Sequence, residues 1–151
     1  MIEYLADFGG LFALYMLWHF AVDFGAQTHA QGHGKSVRNA KGNGYLLAHC
    51  LTYTVLMVIP LYFFLPRWDL LVAAVILWGS HMIGDTYWPV YLWYRFIRRP
   101  PLPEGHAGWS MEAAGVRIRE NPGDGVILMV VDQVYHLTFL LPMIWMVLHH
   151  A

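Results

Sequence analysis

The chain has 151 residues and a formal net charge of −1; 58% of it is hydrophobic and only 13% is charged. That balance excludes an ordinary soluble domain and gives a nucleic acid no basic face to bind. A single cysteine, Cys50, excludes an internal disulfide and any metal site made of several thiolates. What remains is an all-α, polytopic membrane protein with room for one domain.

Four apolar stretches predict a bundle of four transmembrane helices, at about 8–27, 45–65, 69–94 and 126–148. Each is long enough for a hydrocarbon core of about 30 Å at about 1.5 Å per residue. The first lacks the basic flank of a signal peptide, having Glu3 and Asp7 but no Lys or Arg before it, so it is expected to stay as a helix. The loop that follows, Thr28 to Gly44, is rich in glycine and polar residues and reads as irregular and mobile. Pro60 and Pro142 fall inside the second and fourth stretches, where membrane helices tolerate them as kinks. Trp68, Trp88 and Trp93 flank the third as interfacial anchors would.

Beyond the third stretch, Arg98-Arg99-Pro100-Pro101-Leu102-Pro103 predicts an extended segment. Ser110 is placed to cap a short helix through about Arg119, with Trp109, Met111, Val116 and Ile118 lying on the membrane surface or over the bundle mouth. Asn121-Pro122-Gly123-Asp124-Gly125 is expected to break the chain before the fourth span. Lys35, Arg38 and Lys41 lie in the first loop, and Arg95, Arg98, Arg99, Arg117 and Arg119 follow the third span. The positive-inside rule then puts both basic loops in the cytoplasm and both termini on the other side of the membrane.

Three of the four stretches carry an Asp and a His four positions apart: His19 and Asp23, His81 and Asp85, Asp132 and His136. That spacing puts both side chains on one helix face, about one turn apart. Chain direction sharpens the pattern. In the inward-running spans Asp follows His, and in the outward-running fourth span it precedes His, so every Asp falls on the cytoplasmic side of its partner. His49 in the second stretch reaches a similar depth. Seven ionisable residues are thus expected to converge in the cytoplasmic half of the bundle.

Three charged carboxylates in a membrane interior cost on the order of 9 kcal/mol on insertion scales, before their mutual repulsion. Protonation, imidazolium partners or a bound divalent cation would each relieve this. The mix of imidazole and carboxylate suits zinc best, then manganese or iron, with one or two ions held by His19, Asp23, His49, His81, Asp85, Asp132 and His136. Gln27, one turn beyond Asp23, and Gln133, beside Asp132, are candidates to orient the ligands. A proton relay without metal, or polar contacts that merely join helices, are the competing readings. His29 and His33 are expected to be solvated, His149 and His150 interfacial, and Cys50 a small buried apolar residue.

The elements His19-Phe20-x-x-Asp23-Phe24-x-x-Gln27-Thr28, Leu46-Leu47-x-His49, Ser80-His81-x-x-x-Asp85 and Asp132-Gln133-x-x-His136 resemble a small bacterial and phage membrane-protein family. It is the family called domain of unknown function 3307. The resemblance runs from about residue 14 to 145 and implies a multi-span membrane protein without an assigned activity. Tyr87 and Trp88 stand where a basic residue is expected, and the third loop is longer. In ligand types alone, the pattern is similar to that of membrane-bound metal-dependent hydrolases.

The expected function is a metal-dependent hydrolase acting on a lipid or lipid-linked phosphoester at the cytoplasmic leaflet, with Asp23, Asp85 and Asp132 in catalysis. The alternative is an ion- or proton-translocating protein, or one in which the metal is structural. A transport path would need polar lining in the outer halves of the spans. The sequence offers only Tyr15, Trp18, Thr52, Thr54, Ser80 and Thr138 there.

Overall fold

The first apolar run becomes one long helix, α1 (Ile2–Gly25). It belongs to a computed structural model that describes residues 2–35, 39–86 and 88–150. Arg38 and Tyr87 lie outside the described residues, as do the side chains of His33, Met111 and Arg119.

Helix α1 ends two residues before Gln27, so Gln27 does not continue the His19–Asp23 stripe. The expectation of an irregular, mobile loop from Thr28 onward fails at this point. The Thr28 hydroxyl accepts the Gln31 N–H at 3.2 Å, and the Gln31 side-chain oxygen accepts the Thr28 N–H at 2.7 Å. This reciprocal cap satisfies donors that a helix start leaves open, and it nucleates α2 (His29–Gly34) despite two glycines. Asn39 caps α3 (Ala40–Leu61) through the Gly42 N–H, starting it more than a turn before Tyr45.

The expected third span is broken. Helix α4 (Arg67–Gly84) stops at Asp85, whose N–H returns to the His81 carbonyl. The chain resumes as α5 (Trp88–Leu92) and a π-helical turn, Trp93–Arg98, bent by 55° from α4. Gly84 is a poor helix former, and Pro89 has no N–H to offer the Asp85 carbonyl.

Ser110 caps α6 (Met111–Glu120) by accepting the Ala113 N–H at 3.1 Å. Only Asn121 separates it from α7 (Pro122–Thr138). The expected Asn121–Gly125 break is therefore the first turn of α7, with proline in the opening position it tolerates. Phe139 interrupts the fourth span before α8 (Leu140–His150), where Pro142 cannot bond back to the Thr138 carbonyl.

All regular structure among the described residues is helical. Three helical segments, Asp7–Gly25, Ala40–Leu61 and Met129–His150, are long and apolar enough to cross a membrane; α4 with its bent continuation makes a fourth if the pair is one span. The surface agrees with a membrane protein. Leu14 and Leu17 of α1, Val55 and Ile59 of α3, Leu71 and Val75 of α4, and Val130 and Val134 of α7 all point outward, while the His and Asp residues point inward.

Two apolar cores hold the helices. Tyr53, Met57, Leu61, Leu77, Met143 and Ile144 are part of the larger one, between α1, α3, α4 and α8. The smaller one joins Val90, Tyr94 and Ala114, with Trp93, Trp109, Ile118 and Val131 packed around them. Trp93 is thus a packing residue rather than the expected anchor, while Trp68 and Trp88 remain exposed. Of the two expected positions for Trp109 and Ile118, on the membrane surface or over the bundle, the packing fits the second; the Trp109 and Tyr94 rings sit 5.2 Å apart. Asp124, 3% exposed, clasps this corner by accepting from Arg98 and, at 2.7 Å, from Arg117.

At the opposite end His150 pairs with Asp69 at 2.7 Å, tying α8 to the start of α4.

Candidate metal centre

Helical spacing puts His19 and Asp23 on the inner face of α1, His49 on α3, His81 and Asp85 at the end of α4, and Asp132 and His136 on α7. All are buried except Asp132, whose side chain is 23% exposed. The structure brings these seven residues together in overlapping groups, each able to hold a metal ion.

The tightest group is built around His49, the one expected member without a same-helix partner. Its Nε2 lies 3.1 Å from Asp23 Oδ1, 2.9 Å from His81 Nε2 and 3.3 Å from Asp85 Oδ2. His81 Nε2 is 3.4 Å from the same Asp23 oxygen and 3.6 Å from the same Asp85 oxygen. Ligands at about 2.0–2.1 Å around a tetrahedral zinc ion stand about 3.3 Å from one another. The five separations bracket that value.

A hydrogen-bonded chain of consistent polarity runs beside this group. The Tyr53 hydroxyl donates to His19 Nδ1 at 2.8 Å, which leaves Nε2–H to donate to Gln133 Oε1 at 2.9 Å. The Gln133 amide nitrogen then donates to Asp132 Oδ2 at 3.2 Å and reaches Asp23 Oδ2 at 3.5 Å. Tyr53 also stacks on the His81 ring, with centroids 3.7 Å apart. His19 spends both nitrogens in this chain, so it could join a metal only by releasing Gln133. Gln27 takes no part, and its buried amide oxygen has no hydrogen-bond partner.

His136 is different. Both of its ring nitrogens are buried without a hydrogen-bond partner, and Asp132 Oδ1 on its own helix is 3.8 Å away. Leaving buried polar atoms unsatisfied costs about 1–3 kcal/mol each. A cation shared with Asp85 and Asp132, or with His19 and Asp23, would remove that cost. The ring sits directly over Gly84, where any Cβ would collide with His136 Nε2.

Lys35, not anticipated at the site, reaches it from the end of α2. Its ammonium donates to both oxygens of Asp85 at 2.9 Å. Burial works against its charged form, but the carboxylates of Asp85 and Asp23 more than offset this and hold its pKa above the ordinary lysine value. Beside it opens a cleft of about 210 Å³ with Asp23, Gln27, Lys35, Asp85, Asp132 and Gln133 among its walls. Phe24 and Met129, 50% and 52% exposed, line it as well.

Sequence patterning missed Lys35, which lies outside the apolar spans and is brought in only by the fold; Tyr53, four residues after His49 on α3, shares its face, a signal the sequence did offer. The Thr28/Gln31 cap was the available signal that Lys35 would be held in place. Cys50 is buried as expected, and it also lies within ligand reach of His81 and Asp85.

No curated protein and no solved structure matches the chain. One family profile, described as protein of unknown function (DUF3307), matches residues 11–151. With the match running through all four segments that supply the buried His and Asp residues, the chain belongs to the DUF3307 family.

Proposed function

We propose that the protein is a metal-dependent hydrolase of a bacterial cytoplasmic membrane, cleaving a lipid or lipid-linked phosphoester at the cytoplasmic leaflet. A charge deficit carries this reading. Asp23, Asp85 and Asp132 converge where Lys35 is the described ammonium in direct contact, which leaves two buried carboxylates for a proton, an imidazolium or a metal ion to offset. A divalent cation balances them, and the unpartnered His136 ring supplies a waiting donor.

His49, His81, Asp23 and Asp85 would hold one ion; His136 with Asp132 and, on release from Gln133, His19 would hold a second. Zinc, manganese or iron in that place supplies Lewis acidity, making water more acidic and polarising a phosphoryl oxygen. Asp132, the most exposed of the three carboxylates, accepts the proton of the attacking water. The water oxygen forms a new bond to phosphorus, the ester P–O bond breaks, and the leaving alkoxide takes up a proton. One water is consumed, and a phosphate and an alcohol are released. Gln133 holds Asp132 and Asp23 in place.

One-sided access supports hydrolysis over translocation. In the half of the bundle away from the cleft, the hydroxyls of Thr54, Ser80 and Thr138 bond to carbonyls of their own helices. The distribution of Lys and Arg supports four spans with both basic loops in the cytoplasm and both termini outside. The exposed Phe24 and Met129 beside a polar cleft suit a substrate with an acyl or isoprenoid tail.

Elemental analysis of the purified protein tests the reading, paired with turnover of a short-chain lipid phosphate. About one or two equivalents of transition metal are expected, lost in an Asp23→Asn/His49→Ala variant. Asp132→Asn is expected to keep the ion at His49, His81, Asp23 and Asp85 and to lose turnover. Full turnover without metal overturns the proposal. Tightly held metal with no hydrolysis overturns its enzymatic half and leaves a structural clamp.

A further inference from the structure

We infer that Lys35 recognises the phosphoryl group of the substrate, and that binding of a cation at Asp85 frees it to do so. The inference rests on the hydrolase reading for its biological setting, but its chemistry is separate.

Asp85 serves two claimants. Both of its oxygens accept from the Lys35 ammonium at 2.9 Å, and Oδ2 also lies 3.3 Å from His49 Nε2 and 3.6 Å from His81 Nε2, in the ligand group. Once Oδ2 is bound to a divalent cation, Asp85 attracts the ammonium less, and the cation itself repels it. Loading the site therefore loosens Lys35 from Asp85.

The backbone beneath Lys35 stays where it is. Helix α2 is fixed at its start by the Thr28/Gln31 cap, and Gly34 packs so closely on the Tyr45 ring that no Cβ would fit. The freed side chain lines the cleft, where Gln27 offers a neutral amide beside it and Phe24 and Met129 offer apolar surface. Without a cation the same cleft is lined by three carboxylates and repels anions. Cation and phosphoryl group must then bind in that order, and Lys35 is the contact that appears between the two steps.

Titration calorimetry on the full chain in detergent tests this with manganese, inorganic phosphate and a short-chain phosphatidic acid. The wild type is expected to bind either phosphate probe only after manganese. Lys35→Met is expected to take manganese about tenfold more tightly, having lost the competitor, and to bind both probes about tenfold more weakly. Asp85→Asn releases Lys35 without any cation, so it is expected to bind inorganic phosphate in the presence of chelator. Unchanged probe binding by manganese-loaded Lys35→Met overturns the inference, as does an Asp85→Asn protein that binds no phosphate. A wild type that takes none of manganese, zinc and iron, alongside an Asp85→Asn protein that binds phosphate, sinks the hydrolase reading and leaves Lys35 as an anion site. Tighter binding of phosphatidic acid than of inorganic phosphate, with the difference erased by Met129→Ser, identifies a lipid headgroup as the ligand. Equal binding identifies free phosphate.

Discussion

Two places in this molecule bury carboxylates, and they treat the charge in opposite ways. Asp124 sits between Arg98 and Arg117, so one negative charge meets two guanidinium groups. Asp23, Asp85 and Asp132 meet one ammonium, that of Lys35, and a set of imidazoles. Guanidinium groups cannot lose their charge in a protein and fit a carboxylate in a fixed fork, which suits a permanent joint. Imidazoles can be neutral, and a neutral ring can ligate a metal. The first arrangement is complete as it stands. The second could hold a metal ion.

The largest effect that could break this contrast is one of sign. In chelator, Asp124→Asn should destabilise the protein by about 2 kcal/mol, since it leaves the exposed Arg98 and the partly buried Arg117 facing a neutral amide. Asp132→Asn under the same conditions should instead stabilise it by about 1 kcal/mol, because it relieves repulsion among carboxylates. Thermal unfolding in detergent measures both, and two shifts in the same direction would dissolve the distinction. Next in size is Gly84→Ala. Displacing the His136 ring should weaken cation affinity about tenfold, while helix propensity at that position improves slightly. Competition against a chromophoric chelator would read this, and unchanged affinity would remove His136 from the metal centre. The smallest effect sharpens the contrast from the other side. Ser110→Ala should cost about 1 kcal/mol by uncapping α6, the helix that carries Arg117, and should leave cation affinity as it was.

How much of this was legible depends on the range of the information. A helix repeats every 3.6 residues, so His19 with Asp23, His81 with Asp85 and Asp132 with His136 share faces whatever the rest of the chain does. Chain direction then matched their depths, and His49 with them. Lys35 could not be read in the same way. Its approach to Asp85 depends on a turn of helix that the glycine-rich composition argued against and the Thr28 cap made possible. Asp124 looked like one more acidic residue in a polar loop; only the packing of α6 and the π-helical turn around it reveals a clasp. The break at Asp85 had local signals in Gly84 and Pro89, but apolar composition on both sides masked them. Gln27 lines the cleft, though not by the route expected. It was projected along a helix that ends at Gly25.

The packing of α8 against α1 also bears on how the protein is made. A growing chain emerges from its amino end, and its helices can enter the bilayer and pair as they appear. Here α1 waits for α8. His19 and Asp23 have left the ribosome long before Asp132 and His136, so their carboxylate must be sheltered meanwhile by α3, α4 and Lys35. A nascent chain stalled before α7 would carry an open polar wound inside the membrane, one that quality-control proteases or an insertion chaperone could recognise.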